Sequence, residues 1–161
     1  MGSGGRASVD SAMTAGLATR LWKAGFGYES SLRMINTALV AKSEDESLAT
    51  LDLLETNLYN GEITMIKAGA GVSLLYSNGR VSYFAEPSLP LGILRELSVS
   101  RVTDRLVDGD VLLIMSDGVS NEGVEWIEDL LNVFEKDRHM SLDELAETIA
   151  AQARERQLPP L

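Results

Sequence analysis

The sequence predicts an α+β fold, an antiparallel β sandwich flanked by helices, and three observations predict it. Apolar residues recur at helical spacing near both ends of the chain. Between them lies a block of short β-patterned segments punctuated by glycine turns. No internal repeat or low-complexity linker interrupts the order, so helices, strands and helices pack most economically as layers.

The first helix is expected from about Arg6 to Ala24, because Val9, Met13, Leu17, Leu21 and Ala24 fall on one face. Gly25 and Gly27 end it, since glycine takes the left-handed backbone that closes helices. A second helix spans about Ser30 to Ala41, with Leu32, Ile35 and Leu39 aligned and Ser30 or Ser31 available as its cap. The acidic stretch Ser43 to Ser47 is its exit loop. The period then changes. Leu48 to Leu58 and Glu62 to Ala68 form a hairpin through Tyr59-Asn60-Gly61, and Val72 to Tyr76 and Arg80 to Phe84 form another through Asn78-Gly79. That makes four consecutive antiparallel strands.

Pro87 to Gly92 is a loop, because each proline removes a backbone donor. Leu97 to Val102 reads as a further strand. Asp108-Gly109-Asp110 turns the chain into Val111 to Met115, an apolar run expected to be a strand buried on both faces and ending at Ser116-Asp117-Gly118. Helices over Val124 to Lys136 and Ser141 to Arg156 finish the chain, the second opened by a capping box of Ser141 and Glu144.

Composition narrows the chemistry. A chain of 161 residues, 45% hydrophobic and 24% charged, has the size of one domain with a real core. Its 14 Lys plus Arg against 24 Asp plus Glu give a net charge of −10, which opposes nucleic acid and anionic membranes by Coulomb repulsion. A protein or small-molecule partner is expected instead. With no cysteine and with His139 as the one histidine, thiol catalysis, thiolate zinc sites and a Ser-His-Asp triad are set aside. The absence of cysteine fits a reducing, cytoplasmic compartment. No apolar run approaches the roughly 20 residues that cross a bilayer.

Two places offer chemistry. Asp117, directly after the apolar strand, puts a carboxylate where the backbone turns, and hard divalent cations need oxygen ligands on rigid elements. Read on spacing alone, an Asp-Gly after a strand is also an ordinary turn. Met1-Gly2-Ser3-Gly4-Gly5-Arg6 leads into a helix, so its amides and Arg6 can receive a phosphate; taken alone it is equally a flexible leader. Asp52, Glu55, Asp108, Asp110 and the acids from Glu122 to Asp129 read as surface, turn or helix-start groups. Trp22 and Trp126 read as core or interface anchors.

The chain also presents, in order, Met1-Gly2-Ser3-Gly4, Leu51-Asp52-Leu53, Leu58 to Glu62, Lys67-Ala68-Gly69-Ala70, Ser88 to Leu94, and Leu106 through Asp110 to Ser116-Asp117-Gly118. These segments with this spacing resemble the PPM-type (type 2C) serine/threonine phosphatases, in particular the branch of stage II sporulation protein E and related sigma-regulatory phosphatases. The resemblance covers essentially the whole chain. It implies a PPM phosphatase-like sandwich of αββα layers with two Mn²⁺ or Mg²⁺ ions at one edge. The ions lower the pKa of a bound water that attacks the phosphate in line, with no covalent intermediate. Such chemistry needs neither Cys nor His.

Carried over by residue, the resemblance implies that Asp117 is the metal-binding catalytic aspartate and that Gly118 allows close approach, while Ser3, Gly4 and Arg6 of the glycine-rich leader are the candidate substrate contacts. The family's other acidic ligands normally precede the Met-Gly-x-Gly segment and follow the last helix. The resemblance therefore implies one incomplete domain over residues 1–161, cut at both ends and weak in metal binding by itself. The implied partner is a phosphorylated regulatory protein such as a STAS-type anti-anti-sigma factor. A homodimer whose switch is the helix pair Arg6 to Ala41, and a membrane-anchored parent, are further implications. A non-catalytic interaction module of the same fold is the alternative.

Overall fold

The structure, a computed structural model, describes residues 5–42, 48–120, 123–137 and 139–157, with the side chains of residues 5–7 outside that description. It shows the expected α+β class, built from antiparallel sheets and helices. The chain divides into two compact units, Met1–Ala70 with Glu86–Arg105, and Gly71–Ala85 with Leu106–Leu161.

In the first unit, α1 (Gly5–Lys23) and α2 (Tyr28–Lys42) form an antiparallel pair clasped by an ion pair of 2.5 Å from Lys42 to the buried Asp10. Between them, Gly25 has φ of +86°. The Phe26 amide donates to the Leu21 carbonyl and the Gly25 amide to that of Trp22, which closes the helix as the glycine pattern predicts. The start of α2 differs from expectation. It begins at Tyr28 on Gly27, and Ser31, expected as a cap, is buried in the first turn with its hydroxyl donating back to the Gly27 carbonyl at 3.0 Å.

Strands β1 (Leu51–Thr56), β2 (Glu62–Ala68) and β5 (Ser100–Arg105) make a sheet in the order β1-β2-β5, all pairs antiparallel. One face of the sheet, with Leu51, Leu53, Ile66 and Ala68, packs with Leu32, Ile35 and Leu39 of α2. The strand expected from Leu97 starts instead at Ser100, which pairs with Lys67. Beyond Ala68, Gly69 takes φ of +61° and the ladder ends, so Leu97 and Val99 pack on the core without strand partners. Ala49, expected within the first strand, forms an isolated bridge to Leu91.

In the second unit, β3 (Ser73–Ser77), β4 (Arg80–Phe84) and β6 (Val111–Ile114) form a separate sheet in the order β4-β3-β6. The four strands read as consecutive are thus two hairpins in two sheets. The β3–β4 turn has positive φ at both Asn78 (+50°) and Gly79 (+73°), as a two-residue hairpin turn of this hand requires. Strand β6 was expected to be covered on both faces, but Ile114 is 45% exposed; among the described residues β6 pairs with β3 alone, and the central strand, with four of five positions buried, is β3.

Helices α4 (Glu125–Lys136) and α5 (Leu142–Arg156) cover this sheet through Ile127, Leu131, Leu145 and Ile149, packed with Leu74, Tyr76 and Val111. The predicted capping box is present: the Glu144 amide donates to Ser141 Oγ at 3.2 Å and the Ser141 amide to Glu144 Oε2 at 2.7 Å.

Candidate functional site

Asp117 opens α3 (Asp117–Ser120), a single helical turn separated from the end of β6 by Met115 and Ser116. Its side chain is half-buried, and its Oδ1 accepts from the Gly118 amide at 2.9 Å, which fixes one oxygen against the turn. Two supports hold the turn from outside. Gln157, just past α5, donates through Nε2 to the Gly118 carbonyl. The Gly71 backbone lies so close that a Cβ placed on it would stand 3.1 Å from Ser120 Oγ and 3.7 Å from the Asp117 amide nitrogen. A strand end, a neighbouring glycine and a helix terminus therefore fix the carboxylate that sequence spacing singles out. Chemically, a fixed and accessible carboxylate can accept a proton, a hydrogen bond or a hard cation.

Of the other expected site residues, Gly118 is the one described beside it. Ser3 and Gly4 lie outside the described residues, as does Glu122. Arg6 falls in the first turn of α1, its side chain outside the description. Among the described residues no three His, Asp or Glu side chains gather as a metal site. The described residues therefore do not by themselves fit a two-ion centre.

Several polar groups escaped sequence reasoning. Lys67 has no exposed side-chain surface and ion-pairs with Asp52 on the neighbouring strand. Asn36 of α2 is buried. Its amide donates to the Leu94 carbonyl at 2.8 Å and its oxygen accepts from the Gly92 amide at 2.8 Å, pinning the loop before β5. That loop returns to the end of β2, where Ser88 Oγ accepts from the Gly69 amide at 3.0 Å and the Pro90 ring occupies the place of any Gly69 side chain. Tyr76, buried on β3, donates to Glu135 of α4. Burial first, then the bond and charge of Glu135, push its phenol from 10.0 up to about 12.

Comparison with known proteins places these features. The family model described as Stage II sporulation protein E matches residues 1–160. Stage II sporulation protein E of Bacillus subtilis (strain 168) is 32% identical over 128 residues, which are 80% of this chain and 15% of that protein. The chain thus spans a small part of that relative's length. A solved structure of the PP2C phosphatase domain and a fragment of the regulatory domain of the cell fate determinant SpoIIE from Bacillus subtilis superposes with a TM-score of 0.77. Its identity is 24%, and the match covers 98% of this chain and 48% of that one. A manganese-presoaked structure of that phosphatase domain matches with a TM-score of 0.56 at 25% identity, covering 89% of this chain and 66% of that one. The fold is that of the PP2C phosphatases.

Proposed function

Because the chain belongs to the stage II sporulation protein E family, we propose that it works within a metal-dependent serine/threonine phosphatase that hydrolyses a phosphoester on a regulatory protein. Residues 1–161 are read as part of one phosphatase domain. The supporting observation is Asp117, an acid just past a strand end whose Oδ1 accepts from the Gly118 amide, in a turn that Gln157 holds through the Gly118 carbonyl. Its oxygens are the donors this chain offers to a divalent cation, and Gly118 leaves room beside them. The proposed cofactor is Mn²⁺ or Mg²⁺, as two ions, with further donors needed in addition to Asp117. The manganese-presoaked relative supports that choice of metal.

The proposed substrate is a phosphorylated STAS-type anti-anti-sigma factor, and nucleic acid is not a partner, in keeping with the net charge of −10. Cytoplasmic placement and a homodimer belong to the same reading. No helix among the described residues is long and apolar enough to cross a membrane.

The test is phosphoester hydrolysis by the full-length protein with Mn²⁺ present. Asp117→Asn keeps the side chain's shape and removes its charge, so activity is expected to fall by at least about a hundredfold, the scale on which one electrostatic group acts in a transition state. Undiminished activity in the variant would remove the assignment. The non-catalytic reading is favoured by one observation, that no three His, Asp or Glu side chains gather as a metal site among the described residues. It wins if the full-length protein binds its partner and never releases phosphate.

A further inference from the structure

The hairpin joining β1 and β2 ends in two apolar side chains that no described residue covers: Leu58 is 91% exposed and Tyr59 fully exposed. A loose loop would explain this, yet several hydrogen bonds hold the turn. The Asn57 amide donates to the Glu62 carbonyl at 2.8 Å, and the Gly61 amide to that of Asn57 at 2.9 Å. Asn57 Oδ1 accepts from the Tyr59 amide at 3.0 Å, and Asn60 Oδ1 from that of Glu62 at 2.9 Å. From β5, Arg105 Nε donates to the Asn60 carbonyl at 2.7 Å, fastening the tip to the sheet. An ordered turn that holds an aromatic ring in water is built as an anchor, since rings of this kind dominate recognition surfaces.

Beside the anchor lies a second feature. A cleft of about 410 Å³ is lined by Asn60, Glu62, Thr103, Asp104 and Arg105. Arg105, whose Nε bonds the Asn60 carbonyl, brings one positive charge against the two negative charges of Glu62 and Asp104, so the cleft is acidic on balance, and Glu55 is exposed nearby. The pair fits a surface with an apolar pocket for Tyr59 and Leu58 next to a lysine or arginine for the cleft. It lies at the opposite end of the seven-residue β2 from Gly69, about 20 Å along the strand.

We propose that this hairpin tip is a docking site for the body of the phosphoprotein substrate, engaged through an apolar pocket with a cationic rim. The inference rests on the phosphatase reading for the identity of the partner. The test uses the full-length protein, a phosphoserine-bearing STAS-type protein as one probe and p-nitrophenyl phosphate as the other. In Leu58→Ser/Tyr59→Ser, the dissociation constant and the KM for the phosphoprotein are expected to rise at least about tenfold, as when an aromatic anchor is removed. Turnover of p-nitrophenyl phosphate is expected to persist. Glu62→Gln flattens the salt dependence of binding, because one charge of the cleft is gone.

An unchanged dissociation constant in the double variant overturns the docking site. So does equal loss on both probes, a wild-type protein that does not bind the phosphoprotein, or a variant that alters only sedimentation and so marks a contact between copies. Wild-type protein that turns over neither probe but binds through the tip overturns the phosphatase reading and leaves the docking site standing.

Discussion

Tyr76 is a residue whose environment no periodicity reports. The sequence places it in a strand, Val72 to Tyr76, but the Glu135 carboxylate that accepts its hydrogen bond comes from a helix residue 59 positions away. The consequence is a pH dependence with a definite sign. The folded phenol, at about 12, holds its proton more tightly than the unfolded one at 10.0. Its contribution to stability is therefore complete below pH 10 and is lost as pH rises towards 12. Denaturant melts at pH 9 and 11.5 are expected to show a loss for the wild type that Tyr76→Phe reduces; equal losses in both would remove Tyr76 as the cause. Lys67 was more legible than it first reads. Ile63, Met65 and Lys67 alternate on one strand face, so two buried apolar neighbours already place the lysine inside, where only a partner such as Asp52 allows a charge. Asp117 was found because strand ends are where carboxylates gain rigidity. Gly71 and Gln157 were not, since the approach of distant backbone is a product of topology.

Elements defined by local chemistry were read most closely. The glycine stop of α1, the Asn-Gly turn and the capping box of α5 depend on residues within a few positions of one another, and each stands where the sequence put it. Ser141→Ala removes the acceptor for the Glu144 amide and is expected to cost about 1 kcal/mol, measured by urea denaturation. A cost near zero would mean that the Glu144 side chain alone secures that end. Elements defined by their neighbours were read less well. The start of β5 is set by where β2 stops pairing, and β2 stops at Gly69, where the backbone turns left-handed against Pro90. Likewise the apolar run of β6 predicts burial but not which strand sits at the edge, because edge and centre share a composition and differ in topology.

At the scale of the whole molecule, order and spacing of weak motifs identified the family where no single motif did. What they could not show is the division into two units, each with its own buried cluster. In the second, Leu131 has no exposed surface and sits among Leu74, Ile127 and Leu145. Leu131→Ala is expected to cost about 2–5 kcal/mol. Amide exchange is expected to accelerate across β3, α4 and α5; protection unchanged there would mean the cluster is not the unit's cohesive core. The two units also alternate along the polypeptide, changing over after Ala70, after Ala85 and again after Arg105. During synthesis on a ribosome, β1 and β2 therefore emerge before β5 exists to complete their sheet, and the β3–β4 hairpin emerges in the interval, itself waiting for β6. Each sheet waits for a strand from later in the chain, so the nascent chain has to keep two unfinished edges from meeting each other or a neighbouring chain until Arg105 has emerged, and one of them until Ile114 has left the exit tunnel.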